Sequence, residues 1–257
     1  MHSFKPAARR RGRIPRFLLL SLLAMTSRGL SPAHADGVSG TIDNGQTVNG
    51  TVTGSGIDSY TFNVMGGTSF VVSVSETGTH DATFAPGIDL VPPAGNGDGI
   101  GNGLHAKLQE INAAAGPWAV KVSRADESGS TTGGTYALTL IQVPGTISPS
   151  GGVVKGAMSP GGTYSGSITR GNIDVYTFTG VAGQTGALTL NATGGNAFSP
   201  EISVFTPTGA SVGGIECVAS CSQDVSITAA GTWTVLVDRQ DNKDVSGTYT
   251  LSLNYKN

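Results

Sequence analysis

Apolar and polar residues alternate in short runs along most of this chain. Tyr60-x-Phe62-x-Val64 leads through Gly66-Gly67 into Phe70-x-Val72-x-Val74. Further on, Tyr176-x-Phe178 leads through Ala182-Gly183-Gln184 into Leu188-x-Leu190. A period of two predicts strands with one face in a core and the other in water. Ser39 to Thr53 reads as two short strands around the turn Asp43-Asn44-Gly45, where Asn and Gly tolerate positive φ. After residue 35 no ten-residue stretch carries a helical period; His105 to Ala115 comes nearest and predicts a turn or two. Strands at this spacing with Gly and Pro turns predict an all-β chain.

The pattern is written twice. Gly56-Ile57-Asp58-Ser59-Tyr60-Thr61-Phe62 returns as Gly171-Asn172-Ile173-Asp174-Val175-Tyr176-Thr177-Phe178, an offset of 116 that also pairs Gly40 with Gly156, Gly45 with Gly161, Gly50 with Gly166 and Gly67 with Gly183. The offset is 114 from Phe84 to Gly95, 115 for the strand of Trp118 and Trp233, and 113 for GTYALTL (134–140) against GTYTLSL (247–253). Small slips at loops around constant strands mark a duplicated fold. Between residues 104 and 112 the register is lost, because Leu108 and Ile111 match neither Val225 nor Ile227. The expectation is two tandem jelly-roll-like antiparallel β-sandwich modules, 36–143 and 154–257. They are joined by a Pro- and Gly-rich linker over 144–153.

The first 35 residues read differently. Six basic residues from Lys5 to Arg16 precede the apolar run Phe17 to Met25, and Ala33-His34-Ala35 follows. That order is a secretory signal peptide, and its apolar run is well short of the roughly 20 residues that span a bilayer. The expectation is a cleaved leader and a secreted protein, extracellular or periplasmic, with no membrane span after cleavage. Without the leader, eight Lys+Arg face 17 Asp+Glu, a net charge of −9 where the whole chain has −2. An acidic protein argues against nucleic acid as a partner, because that affinity comes from cations on phosphates.

The order Asp-x-Tyr-x-Phe, Pro-x-Ile…Pro-x-Gly, Gly-x-Trp-x-Val-x-Val, Gly-Thr-Tyr-x-Leu-x-Leu resembles the bacterial pre-peptidase C-terminal domain family. The likeness covers both halves and is closer in residues 156–257. It implies secreted β-sandwich modules, related in shape to the collagen-binding modules of collagenases, that accompany exported hydrolases. Two features depart from the family: Trp118 and Trp233 stand where Tyr is frequent, and no peptidase domain occurs within these residues.

Candidate chemistry is sparse. Asp58 and Asp174 open the marker strands; they are the calcium candidates, weighed against a carboxylate that holds a turn through backbone N–H groups. Gly95 to Gly103 lacks the acidic spacing of an EF-hand and reads as a hairpin loop. Gly209-Ala210-Ser211-Val212-Gly213 matches the nucleophile elbow, but repeat 2 has no His to activate a serine. His80 with Asp81 falls short of the three or four ligands of a zinc site. Cys217 and Cys221 are the only cysteines and in an oxidising compartment predict a small structural disulfide. Trp118, Tyr136, Trp233 and Tyr249 run in phase with aliphatic neighbours, which places them in cores rather than on platforms.

These residues supply no catalytic set and no required cofactor, with calcium the one cation in view. The expected function is non-catalytic: binding or adhesion to an extracellular polymer or protein, or service to a separate secreted enzyme. The alternatives are a small hydrolase built from the repeat 1 loops holding His80, Asp81, Asp98 and His105, or a component of a cell-surface assembly.

Overall fold

A computed structural model of the chain describes residues 37–78, 84–94, 100–102, 104–125, 133–148, 152–194, 198–239 and 246–256. The leader and His80, Asp81 and Asp98 lie outside them.

The described residues form strands joined by turns. In the first half these are β1 (Ser39–Thr41), β2 (Thr47–Val52), β3 (Asp58–Val64), β4 (Ser69–Glu76), β5 (Pro86–Val91), β6 (Ile100–Asn102), β7 (His105–Glu110), β8 (Gly116–Arg124) and β9 (Gly134–Val143). The second half holds β10 (Val154–Met158), β11 (Thr163–Ile168), β12 (Asp174–Gly180), β13 (Thr185–Gly194), β14 (Pro200–Phe205), β15 (Ser211–Glu216), β16 (Ser220–Ser226), β17 (Gly231–Arg239) and β18 (Gly247–Lys256). Sheets β1-β3-β8-β5-β6 and β2-β9-β4-β7 face each other as one sandwich, and β10-β12-β17-β14-β15 and β11-β18-β13-β16 as the other. The two orders match strand for strand.

Register matches as well. Tyr60 lies opposite Val120 and Phe62 opposite Trp118; Tyr176 lies opposite Val235 and Phe178 opposite Trp233. Trp118 Nε1 donates to the carbonyl of Ala114 at 2.9 Å, and Trp233 Nε1 to that of Ala229 at 3.0 Å. Both indoles and both tyrosines of the GTY segments are buried, as their phase predicts. The paired glycines have a steric reason: a Cβ on Gly50 would sit 2.2 Å from the Tyr136 ring, and one on Gly166 2.3 Å from that of Tyr249.

Three expectations need correction. The sheets are not wholly antiparallel, because β1 runs parallel to β3 and β10 to β12. The chain visits the opposite sheet through β2 or β11 before returning, so the pair is joined by a crossover rather than a hairpin. The segment from His105 is not helical; it is strand β7, paired with β4 through Ser75–His105, Ser73–Lys107 and Val72–Leu108. That pairing fixes the lost register. Leu108 holds the position of Gln223, while Ala113 and Ile227 share one place, each exchanging backbone hydrogen bonds with the turn before the facing strand.

The third correction concerns alternation. Every residue of β4 is buried, and so are most of β9 and β17. Phe70, Val72 and Val74 fill the first core, yet Val71 on the opposite face joins Ile141, Val143, Val153, Ile173, Val175, Phe205 and Leu236 in a third apolar cluster. The β2-β9-β4-β7 sheet therefore packs face to face on the β10-β12-β17-β14-β15 sheet, giving four stacked layers. Ile147, in the connection between the halves, packs on this cluster as well. Fully burying a Val, Leu, Ile or Phe side chain is worth about 1.5–3 kcal/mol, so this seam is a cohesive interface rather than a loose contact.

Candidate functional site

Asp58 and Asp174 sit at equivalent positions at the starts of β3 and β12, and both are buried. Asp58 Oδ2 accepts from the Tyr136 hydroxyl at 2.5 Å and Oδ1 from the Val38 N–H at 2.9 Å. Asp174 Oδ2 accepts from Tyr249 at 2.6 Å, and its Oδ1 meets the Lys155 ammonium at 3.0 Å. A second tyrosine completes each set: Tyr60 to Tyr136 at 2.9 Å, Tyr176 to Tyr249 at 3.0 Å. Burial raises the titration of all four phenols, and the adjoining carboxylates push Tyr136 and Tyr249 higher still. Burial also raises Asp174, against the opposing pull of Tyr249 and Lys155. Each carboxylate thus receives internal donors on both oxygens and ties the first strand of its module to the last. No group of three or more His, Cys, Asp or Glu side chains suited to a metal ion occurs among the described residues.

The nucleophile-elbow match resolves into a turn and a strand. Gly209 takes a positive φ of 86° in the turn, and Ser211 opens β15. An elbow needs a strand-to-helix turn, which this segment does not make. Cys217 and Cys221 are joined, with Cα atoms 5.3 Å apart. Their disulfide sits where the chain leaves β15 in one sheet for β16 in the facing one.

His105 is the largest displacement from expectation. It lies on β7 rather than in a loop, and it is buried. Its Nδ1 is 2.9 Å from Ser75 Oγ, and its Nε2 is 3.8 Å from Asp238 Oδ1 across the seam. These are hydrolase residue types in a different arrangement. In a serine hydrolase the acid holds Nδ1 and the serine meets Nε2. Here the contacts are exchanged, Ser75 is fully buried, and its hydroxyl also accepts from Arg239 Nη2 at 2.7 Å. A substrate carbonyl has no route to that oxygen.

Around this point lie the groups that sequence reasoning missed. Lys107 Nζ is 2.6 Å from Glu201 Oε2 and 3.6 Å from Asp238 Oδ2. Burial pulls the Lys107 ammonium down, but Asp238 and Glu201 outweigh it and hold it above its ordinary range. Burial raises Asp238 despite Lys107 and Arg239, and burial followed by those two cations holds His105 down to about 3. The imidazole is therefore neutral at pH 7. Farther along the seam, Ser69 Oγ donates to the Gly209 carbonyl at 2.6 Å and Thr139 Oγ1 to that of Gly171 at 2.5 Å. The available signal was apolar residues out of phase with the core, such as Val71, Ile141 and Leu236.

Two shallow clefts recur at equivalent places beside β1–β3 and β10–β12, of about 460 and 480 Å³. The first is lined by Asp43, Asn44 and Asn63 among others, the second by Ser159, Pro160 and Thr179.

No family model matches the chain, and no curated protein matches it. Among solved structures the chain is similar to the pre-peptidase C-terminal domain of collagenase from Bacillus anthracis, at 24% identity over 42% of this chain and 96% of that one, with a TM-score of 0.32.

Proposed function

We propose that the chain is an exported, non-catalytic protein of two β-sandwich modules that binds an extracellular polymer or protein, alone or as the accessory of a separate secreted enzyme. The observation that carries this reading is the outer face of the β11-β18-β13-β16 sheet. Thr163, Ser252, Thr189 and Ser222 form one row across all four strands, and Ser165, Thr250, Asn191 and Ser220 form the next. Strands about 4.8 Å apart with alternate residues about 6.7 Å apart spread these hydroxyls and amide as a regular, uncharged grid. Such a face offers donors and acceptors to a repeating polymer without a pocket. The disulfide accords with an oxidising compartment.

The test is retention of residues 36–257 on cell-wall, polysaccharide and protein matrices, with and without calcium. Thr189→Arg and Ser252→Arg, neighbours in register, are expected to cut retention at least about tenfold while changing stability by under about 0.5 kcal/mol. Retention unchanged by either arginine would remove the face from the function. A reproducible hydrolytic activity lost in His80→Ala would replace the reading with the enzymatic one.

A further inference from the structure

The seam between the modules is graded along its length. On one side, register places Ser69 beside Val143, Val71 beside Ile141, Ser73 between Thr139 and Lys107, and Ser75 between Ala137 and His105. The opposing strands run from Phe205 through Ser203 and Leu236 to the pair Glu201 and Asp238. One end is thus apolar and the other holds ionisable groups, with Lys107 on β7, Glu201 on β14, and Asp238 and Arg239 on β17 gathered at the imidazole's end.

We propose that the polar end of this seam is an acid-operated clasp, in which protonation of His105 beside Lys107 and Arg239 opens that end while the apolar end keeps the modules joined. A neutral His105 can share a proton with Ser75 and sit near two cations without penalty. An imidazolium there has a like charge on two sides and, at 3.8 Å, no hydrogen bond to Asp238. Opening to water relieves both conditions.

The sign follows from linkage. His105 titrates near 3 when enclosed and near 6.5 when free, so the closed form binds fewer protons. Its contribution to closure is complete above about pH 6.5 and is lost progressively as pH falls, by up to about tenfold per unit. Asp238, raised by burial, acts in the opposite sense in its own range, because there the closed form takes up the proton more readily. Lys107 stays charged throughout acid pH. Through His105 the clasp therefore weakens progressively as pH falls below the titration of free histidine.

Ser73 gives access to the event. It is fully buried in the seam beside Lys107, and its hydroxyl has no hydrogen-bond partner, so Ser73→Cys is a conservative exchange. With both native cysteines joined, that thiol is the single reactive one. Its labelling by 4,4′-dithiodipyridine is measured from pH 7 to 4.5 relative to a small-molecule thiol, with tryptophan fluorescence reporting the cores. The expected result is at least tenfold faster relative labelling at the acid end with unchanged fluorescence, and a flat profile when His105→Gln is added. Flat labelling in Ser73→Cys alone, or equal acceleration with His105→Gln, overturns the proposal. Should the thiol variant not fold, the unmodified chain decides through its His105 ring nitrogens in NMR. A midpoint between about 4 and 6 supports the clasp, and one near 3 overturns it.

Discussion

A buried carboxylate is stable only when its lone pairs are met, and the two modules meet that need with the same phenol. Tyr249→Phe leaves Asp174 with Lys155 alone, and Tyr136→Phe leaves Asp58 with the Val38 N–H. Each is expected to cost about 1–3 kcal/mol in urea unfolding at pH 7, the range for stranding a buried polar partner. The two titratable sites make a sharper forecast for Asp174. Its folded titration is already raised above the ordinary 3.8, so its ionisation opposes folding at neutral pH, and that penalty is absent below 3.8. Loss of Tyr249 raises it further. The destabilisation by Tyr249→Phe should therefore be largest at neutral pH, shrink as pH falls through the raised titrations of Asp174 in the variant and the parent, and be gone by the ordinary carboxylate value. A constant difference from pH 7 to 3 would show that Tyr249 acts through packing instead. The sequence marked Asp58 and Asp174 correctly as a repeated pair. Their partners were hidden because Tyr136 lies 78 residues and Tyr249 75 residues away along the chain.

At the scale of elements, the strands with one wet face were legible, and those with two dry faces were not. Tyr60-x-Phe62-x-Val64 alternates buried and exposed along β3 as period two demands. In β4, serines at 69, 73 and 75 look like a solvent face, yet all three are buried beneath the other module. A small hydroxyl fits a packed seam as well as it fits water, so composition could not separate the two cases. Leu108 and Ile111 failed to align for a related reason: β7 serves the seam, whereas β16 faces solvent with Ser220, Ser222 and Ser226. The disulfide belongs to this scale too. It closes a five-residue loop at the β15–β16 corner, which the chain-entropy estimate values at about 2 kcal/mol. Replacing both cysteines with alanine should lower stability by about that amount or less and keep unfolding cooperative. The equivalent corner in the first module, between β6 and β7, contains no cysteine. Loss of a folded state in the double variant would mean that the bridge holds the two sheets of its module together.

For the whole molecule, the duplication sets the seam apart from the faces equivalent to it by repeat. The seam is built from Val71, Ile141 and Val143 on one side and Val175 and Leu236 on the other. The repeat places Ala187, Asn254 and Lys256 at the positions of the first three, and Ser59 and Lys121 at those of the last two, all on outer faces. The faces equivalent to the seam by repeat are thus mostly polar where the seam itself is apolar. The same comparison supplies a test in which the protein changes itself by its own repeat. A protease site placed between Ser148 and Gly152 cuts the connection without touching either sandwich. The cut chain is expected to elute from size exclusion as one 1:1 particle, because the seam buries apolar side chains on both sides and ion pairs at one end. Leu236→Lys, which copies Lys121, should release the halves after cutting, since an unpaired ammonium among apolar side chains costs several kcal/mol. Light scattering reads the masses, and near-ultraviolet circular dichroism reads whether Trp118 and Trp233 keep their packing. Halves that part without the lysine would make the modules independent beads joined only by 144–153. A particle that survives the lysine would place the cohesion in the polar contacts, Ser69 to Gly209 and Thr139 to Gly171, rather than in the apolar cluster.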